Sequence, residues 1–325
     1  MVNQFRSLHP LNLLLLVAYA IFMRIAIFFN LSSELTFEIL EPYTKLFINI
    51  PKDALSSEAN LFFATVITLV QALIFNRIVN NHGLLAKPSY LPALLYITGT
   101  SLFLQFLVLS PALICNFLII VIIDKFLKLS KTASAMSIMF DVGMLIAIGT
   151  LIYFPFILLL IMLWLSLLMY RPFNWREWIS GIIGFLTIFM FVGVFYYWNN
   201  SIDRFIDIWQ PLTNKFPVNL QINYDDYLVL IPVSLIMILA VIQLRENFFR
   251  SFISTRKAFQ MLFFMFVVSI LSFYTKQGVT VAHFLLCVPA GAVLLAYYFS
   301  NAKKLWFYET LFAILVICIQ YFLFV

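Results

Sequence analysis

The chain of 325 residues is 64% hydrophobic and 10% charged, with a mean hydropathy of +1.02. A soluble domain carries about a quarter charged residues, so most of this surface must meet lipid rather than water. The formal charge of +6 does not indicate nucleic acid, because the cations are sorted by loop.

Polar backbone in hydrocarbon must be paired within a helix or a closed barrel. The apolar runs here are continuous, as at 61–75 and 151–170, and lack the alternation of barrel strands. The predicted fold class is therefore all-α, a polytopic transmembrane helical bundle forming a single integral membrane domain over 1–325. About eleven spans are long enough to read. They lie near 11–29, 59–76, 91–110, 112–127, 136–153, 155–170, 178–197, 227–243, 258–273, 282–298 and 305–325.

The first apolar run, Leu11–Asn30, is too long for a cleavable leader and is expected to stay as span one. Arg24 falls late in it, toward the outer end. There it either snorkels to the headgroups or faces the bundle and pairs with a carboxylate or a phosphate. The loop 30–58 then offers Ser33 as a helix cap and Pro42 as a stop. Between them Glu34, Glu38 and Glu41 share one face at i, i+4 and i+7, with Leu35 and Ile39 on another. This predicts a short interfacial helix. Its carboxylates are either a solvated face or, with Glu34 or Glu38 as candidates, a general base or the ligands of a divalent cation.

Farther along, Pro111 and Pro155 mark turns between neighbouring helices. Asp141 opens span five as a cap or as a partner for a lysine of the 125–131 cluster. The run Tyr170–Trp178 holds Arg171, Trp175, Arg176 and Trp178, which suits membrane anchoring or contact with a partner or an anionic headgroup. In loop 198–226, Ile202, Phe205, Ile206 and Trp209 form an apolar face opposite Asp203 and Asp207, ending at Pro211. This predicts a second interfacial helix, with Arg204 as a phosphate ligand candidate beside Arg24. His283 reads as a structural donor. Gln71, Gln105, Asn116, Gln243 and Gln320 read as interhelical hydrogen-bonding groups. Cys115, Cys287 and Cys318 lie in apolar runs without a metal or disulfide pattern.

With the N-terminus placed inside, fourteen of the 20 cations fall at inner loops and span ends: Arg6, Arg77, Lys87, Lys125, Lys128, Lys131, Arg171, Arg176, Arg245, Arg250, Arg256, Lys257, Lys303 and Lys304. That bias orients the chain. Most acids sit in the two outer loops.

The run Arg171–Trp178, with Asp141-Val142-Gly143, Tyr153-Phe154-Pro155 and Lys87–Leu95, resembles an uncharacterised inner-membrane family of Bacteroidota, which implies a bacterial inner-membrane location. Arg24 followed by an acidic outer loop, with turns at Ser110-Pro111 and Tyr153-Phe154-Pro155, is similar to the start of C-type glycosyltransferases of the GT-C fold. That similarity implies a polyprenyl-phosphate sugar donor and an outer-loop carboxylate base. Glu34 or Glu38 stands at the matching position, where the family usually has Asp. Three functions remain open: handling of a polyprenyl-linked glycan, a non-catalytic subunit of an inner-membrane complex for secretion or envelope building, and a transporter or flippase. The partners expected are the bilayer, a polyprenyl-phosphate lipid and other membrane subunits, with no nucleic acid.

Overall fold

A computed structural model describes residues 1–25, 27, 56–213, 226–247, 252–275 and 280–324. Among these, every regular element is a helix. The chain opens with α1 (Val2–Phe5) and α2 (Pro10–Phe22), the latter started by Pro10 and capped by the His9 ring, which accepts from the Leu11 amide at 3.3 Å. Helix α3 (Ser57–Asn81) is capped by Ser56 and carries Glu58 in its first turn. Its 25 residues span roughly 37 Å at 1.5 Å per residue.

The next stretch is broken. Helix α4 (Leu91–Gly99) stops where Thr100 and Ser101 turn their hydroxyls back onto the Ile97 carbonyl, at 3.0 and 2.8 Å. A four-residue helix, α5 (Leu104–Leu107), follows, and Val108 is extended. Asn60 of α3 accepts the Leu109 amide at 2.8 Å, and Ser110 caps α6 (Pro111–Lys128). Then come α7 (Met136–Ile152), a 3-10 turn (Phe154–Leu159), α8 (Leu160–Tyr170), α9 (Trp175–Trp198) and α10 (Ile202–Asp207). The chain closes with α11 (Asp226–Glu246), α12 (Ile253–Leu271), a 3-10 segment (Val281–Cys287) running into α13 (Val288–Asn301), and α14 (Leu305–Phe324).

Six helices are long and apolar enough to cross a membrane: Ser57–Asn81, Trp175–Trp198, Leu228–Glu246, Ile253–Thr275, Val281–Asn301 and Leu305–Phe324. They meet six of the eleven expected spans. The other five are shorter, interrupted or charged. Helix α2 has 13 residues and α7 has 17, the 91–110 run is split, and the 154–170 run begins as a 3-10 turn. Helix α6 carries Asp124, Lys125 and Lys128 in its last two turns. Hydropathy records composition and is blind to where the backbone unwinds. Unwound backbone is tolerated at such depth where neighbouring helices enclose it.

Cations and their partners gather at one end of the bundle. Arg6 donates to the carbonyls of Phe299 and Ala302, at 2.9 and 2.7 Å, and lies over the Tyr308 ring. His82 meets Asp124 at 2.9 Å, Lys125 meets Asp141 at 2.5 Å, and Tyr90 donates its amide to Phe5. Helices α7 and α9 both start from this end and run parallel in backbone contact. Gly143 lies against the Gly181 carbonyl and Gly184 against that of Phe140, leaving no space for a Cβ. Ser180 fastens the pair by donating to the Met136 carbonyl at 2.7 Å. The Val281–Asn301 segment is enclosed: 89% of its apolar window is buried, against 17% for Leu228–Glu246. Its apolar character on every side therefore faces protein.

Candidate functional site

Arg24 follows directly on α2 and is 0% exposed. Its Nη2 donates to Thr68 Oγ1 at 2.9 Å, while Nε and Nη1 have no hydrogen-bond partner. Thr68 stands near the middle of α3, roughly 16–20 Å from either helix end. Arg24 thus lies deep between α2, α3 and α4. Snorkelling is overturned by its complete burial. The straight reading of residues 11–29 as one helix had set it too near an end.

The surroundings are polar and tightly bonded. The Tyr96 hydroxyl donates to Gln71 Oε1 at 2.8 Å, and Gln71 Nε2 donates to the Leu113 carbonyl at 2.7 Å. Tyr19 and Thr98 share a hydrogen bond of 2.8 Å. Asn116 donates to the Leu285 carbonyl at 3.1 Å. These bonds tie α3 to α4 and α6, α2 to α4, and α6 to the segment before α13. Of this set only Asn116 Oδ1 also lacks a partner, and Arg24 Nε and Nη1 bond to none of these groups.

Among the described residues, no carboxylate pairs with Arg24. A buried N–H without an acceptor costs about 1–3 kcal/mol. A guanidinium in that state favours an oxyanion, since its N–H fork matches phosphate and carboxylate geometry.

The other candidates fall elsewhere. Glu34 and Glu38, and with them the carboxylate cation site and the first interfacial helix, lie outside the described residues. Arg204 is exposed on α10. A helix does form in the 198–226 stretch, as α10, ending before Trp209, which packs on Phe189 of α9 with ring centres 4.7 Å apart, while Ile202 and Ile206 stay exposed. Arg171 is an internal clamp. It donates to Leu129 and Ala133 carbonyls at 3.4 and 3.1 Å, to the Thr132 carbonyl, and to Glu177 at 3.1 Å. Its donors are thus engaged within the chain. Trp175 is exposed, with the Arg176 guanidinium 5.8 Å from its ring centre, and Trp178 packs on Phe173.

Asp141 pairs with Lys125, one of the two roles its position suggested. Gln71, Asn116 and Gln105 bridge helices as expected. His283 is buried, with Tyr153 Oη 2.8 Å from Nδ1 and Ser272 Oγ 3.0 Å from Nε2. This node joins three helix ends. Its only trace in the sequence is a polar residue beside each break. Among the described residues, no group of three or more His, Cys, Asp or Glu could hold a metal ion.

The chain belongs to a family of unknown function (DUF6427), whose match covers residues 31–325. No curated protein and no solved structure matches it.

Proposed function

We propose that this member of the DUF6427 family is a bacterial inner-membrane protein that handles a polyprenyl-phosphate-linked glycan, with Arg24 as the ligand of the lipid phosphate. The supporting observation is the buried guanidinium with Nε and Nη1 free of partners inside a bonded polar core. A phosphate oxygen gives Nε and Nη1 the acceptors they lack. In this reading the basic end faces the cytosol and the acid-rich loops face outward. Glu34 or Glu38 then serves the glycan as base or through a divalent cation, in the manner of the GT-C enzymes.

Binding of polyprenyl phosphate, compared with polyprenol, tests the reading. The phosphate should stabilise the wild-type protein against heat in detergent, and the alcohol should not. Arg24→Gln should remove the difference, a loss of about 1.5–3 kcal/mol or roughly ten- to hundredfold in affinity. Equal stabilisation of Arg24→Gln by the phosphate refutes it.

A second reading is a transporter or flippase of the same anionic lipid. It is favoured by the break that ends α4, the helix that brings Tyr96 to Arg24, since broken helices and buried charge mark many transport sites. An enzyme releases polyprenyl phosphate from the glycan; a flippase moves the conjugate intact. The subunit reading rests on Phe173 and Trp175, exposed beside the Arg171 clamp. Stoichiometric partners lost on Trp175→Ala would support it.

A further inference from the structure

We infer that a cavity between α4, α11, α12 and α13 holds one hydrocarbon chain of a membrane lipid. The cavity measures about 280 Å³. Its walls include Leu95 and Gly99 of α4, Val233 and Met237 of α11, Phe266 of α12 and Gly291 of α13. Among the described lining residues, the only side-chain heteroatoms are the sulfurs of Met237 and Cys287.

Water has no place there, because a buried water needs two to four polar partners. A dry cavity of roughly 150 Å³ already admits benzene, so this one has room for a run of methylenes or an isoprene segment. The rim identifies the source of the chain. Leu230 on the rim is exposed, and Ile231, Leu235 and Ile238 continue an exposed apolar face along α11. In a bilayer that face meets acyl chains, so a chain enters sideways.

Two backbone features keep the space open. Gly99 faces Val288, whose Cγ1 lies 2.8 Å from where a Cβ would stand, and Gly291 faces Phe266 at 3.2 Å. Larger residues there push the lining inward. The break after Gly99 places Leu102, Phe103 and Phe106 on the same wall. Helix α4 also presents Tyr96 to Gln71 near the Arg24 site, so it separates the two sites. The inference does not rest on the phosphate reading.

Photolabelling tests it. The full-length protein is placed in vesicles of phosphatidylethanolamine and phosphatidylglycerol doped with phosphatidylethanolamine bearing a diazirine within one acyl chain, and adducts are mapped by mass spectrometry. Adducts should concentrate on Met237, Phe266 and Leu295. Val233→Trp, which fills the cavity, and Leu230→Trp, which blocks its rim, should abolish them. Leu186→Trp, on the exposed face of α9, and Arg24→Gln should leave them intact. Adducts spread as densely over Leu186 and Phe191 as over the cavity overturn the inference, as do adducts that survive both blocking variants in folded protein. The wild-type map decides the matter even where a variant does not fold.

Discussion

Replacing Arg171 by alanine should destabilise the protein by about 3–5 kcal/mol, the range for removing one member of a buried ion pair. The Arg171 and Glu177 side chains are 15% and 5% exposed, so solvent screens them little. Without Arg171, the Glu177 carboxylate keeps the Ala135 amide at 2.9 Å and loses its counter-charge. The carbonyls of Leu129, Thr132 and Ala133 lose their shared donor at the same time. Arg171→Lys should fall between, because an ammonium cannot spread donors over that fan of acceptors. Glu177→Gln in the Arg171→Ala background should recover part of the loss, with a coupling of about 0.5–3 kcal/mol. Unfolding in mixed micelles, followed by tryptophan fluorescence, yields the four free energies of the cycle. An Arg171→Ala variant within about 0.5 kcal/mol of wild type, with additive single changes, refutes the clamp.

The α7–α9 crossing discriminates between two neighbouring glycines. Gly184→Ala drives a methyl onto the Phe140 backbone and should cost about 1–3 kcal/mol or more. Gly181→Ala meets only the movable tip of Leu163, at 2.9 Å, and should cost less; the reverse order in thermal unfolding contradicts the packing. His283→Leu should destabilise by about 1–3 kcal/mol by removing the imidazole that bonds the Tyr153 and Ser272 hydroxyls, Ser272 keeping its bond to the Ser269 carbonyl. A fully stable leucine variant shows that those hydroxyls find other partners.

The all-helical class and the long apolar segments were legible from composition, because lipid imposes one pattern on every spanning helix. The breaks were not. Gly99, Thr100 and Ser101 are compatible with a continuing apolar run, and only the turn of two hydroxyls onto Ile97 ends the helix. The importance of Arg24 was legible because a charge in an apolar run needs a reason. Its depth was not, since that depends on α2 stopping at Phe22. The clamp that Arg171 forms was not legible, because its partners are mainly carbonyls of the 129–133 segment, and charge counting does not register carbonyls.

The enclosure of Val281–Asn301 constrains biogenesis. A segment with neighbours on almost every side cannot stay where it first enters the bilayer. It must exchange acyl contacts for helix contacts after insertion, when it docks against α4 and α12. Until then its slot stands open between α4 and α12, and a chain arrested at that point presents a raw seam to the membrane quality-control machinery.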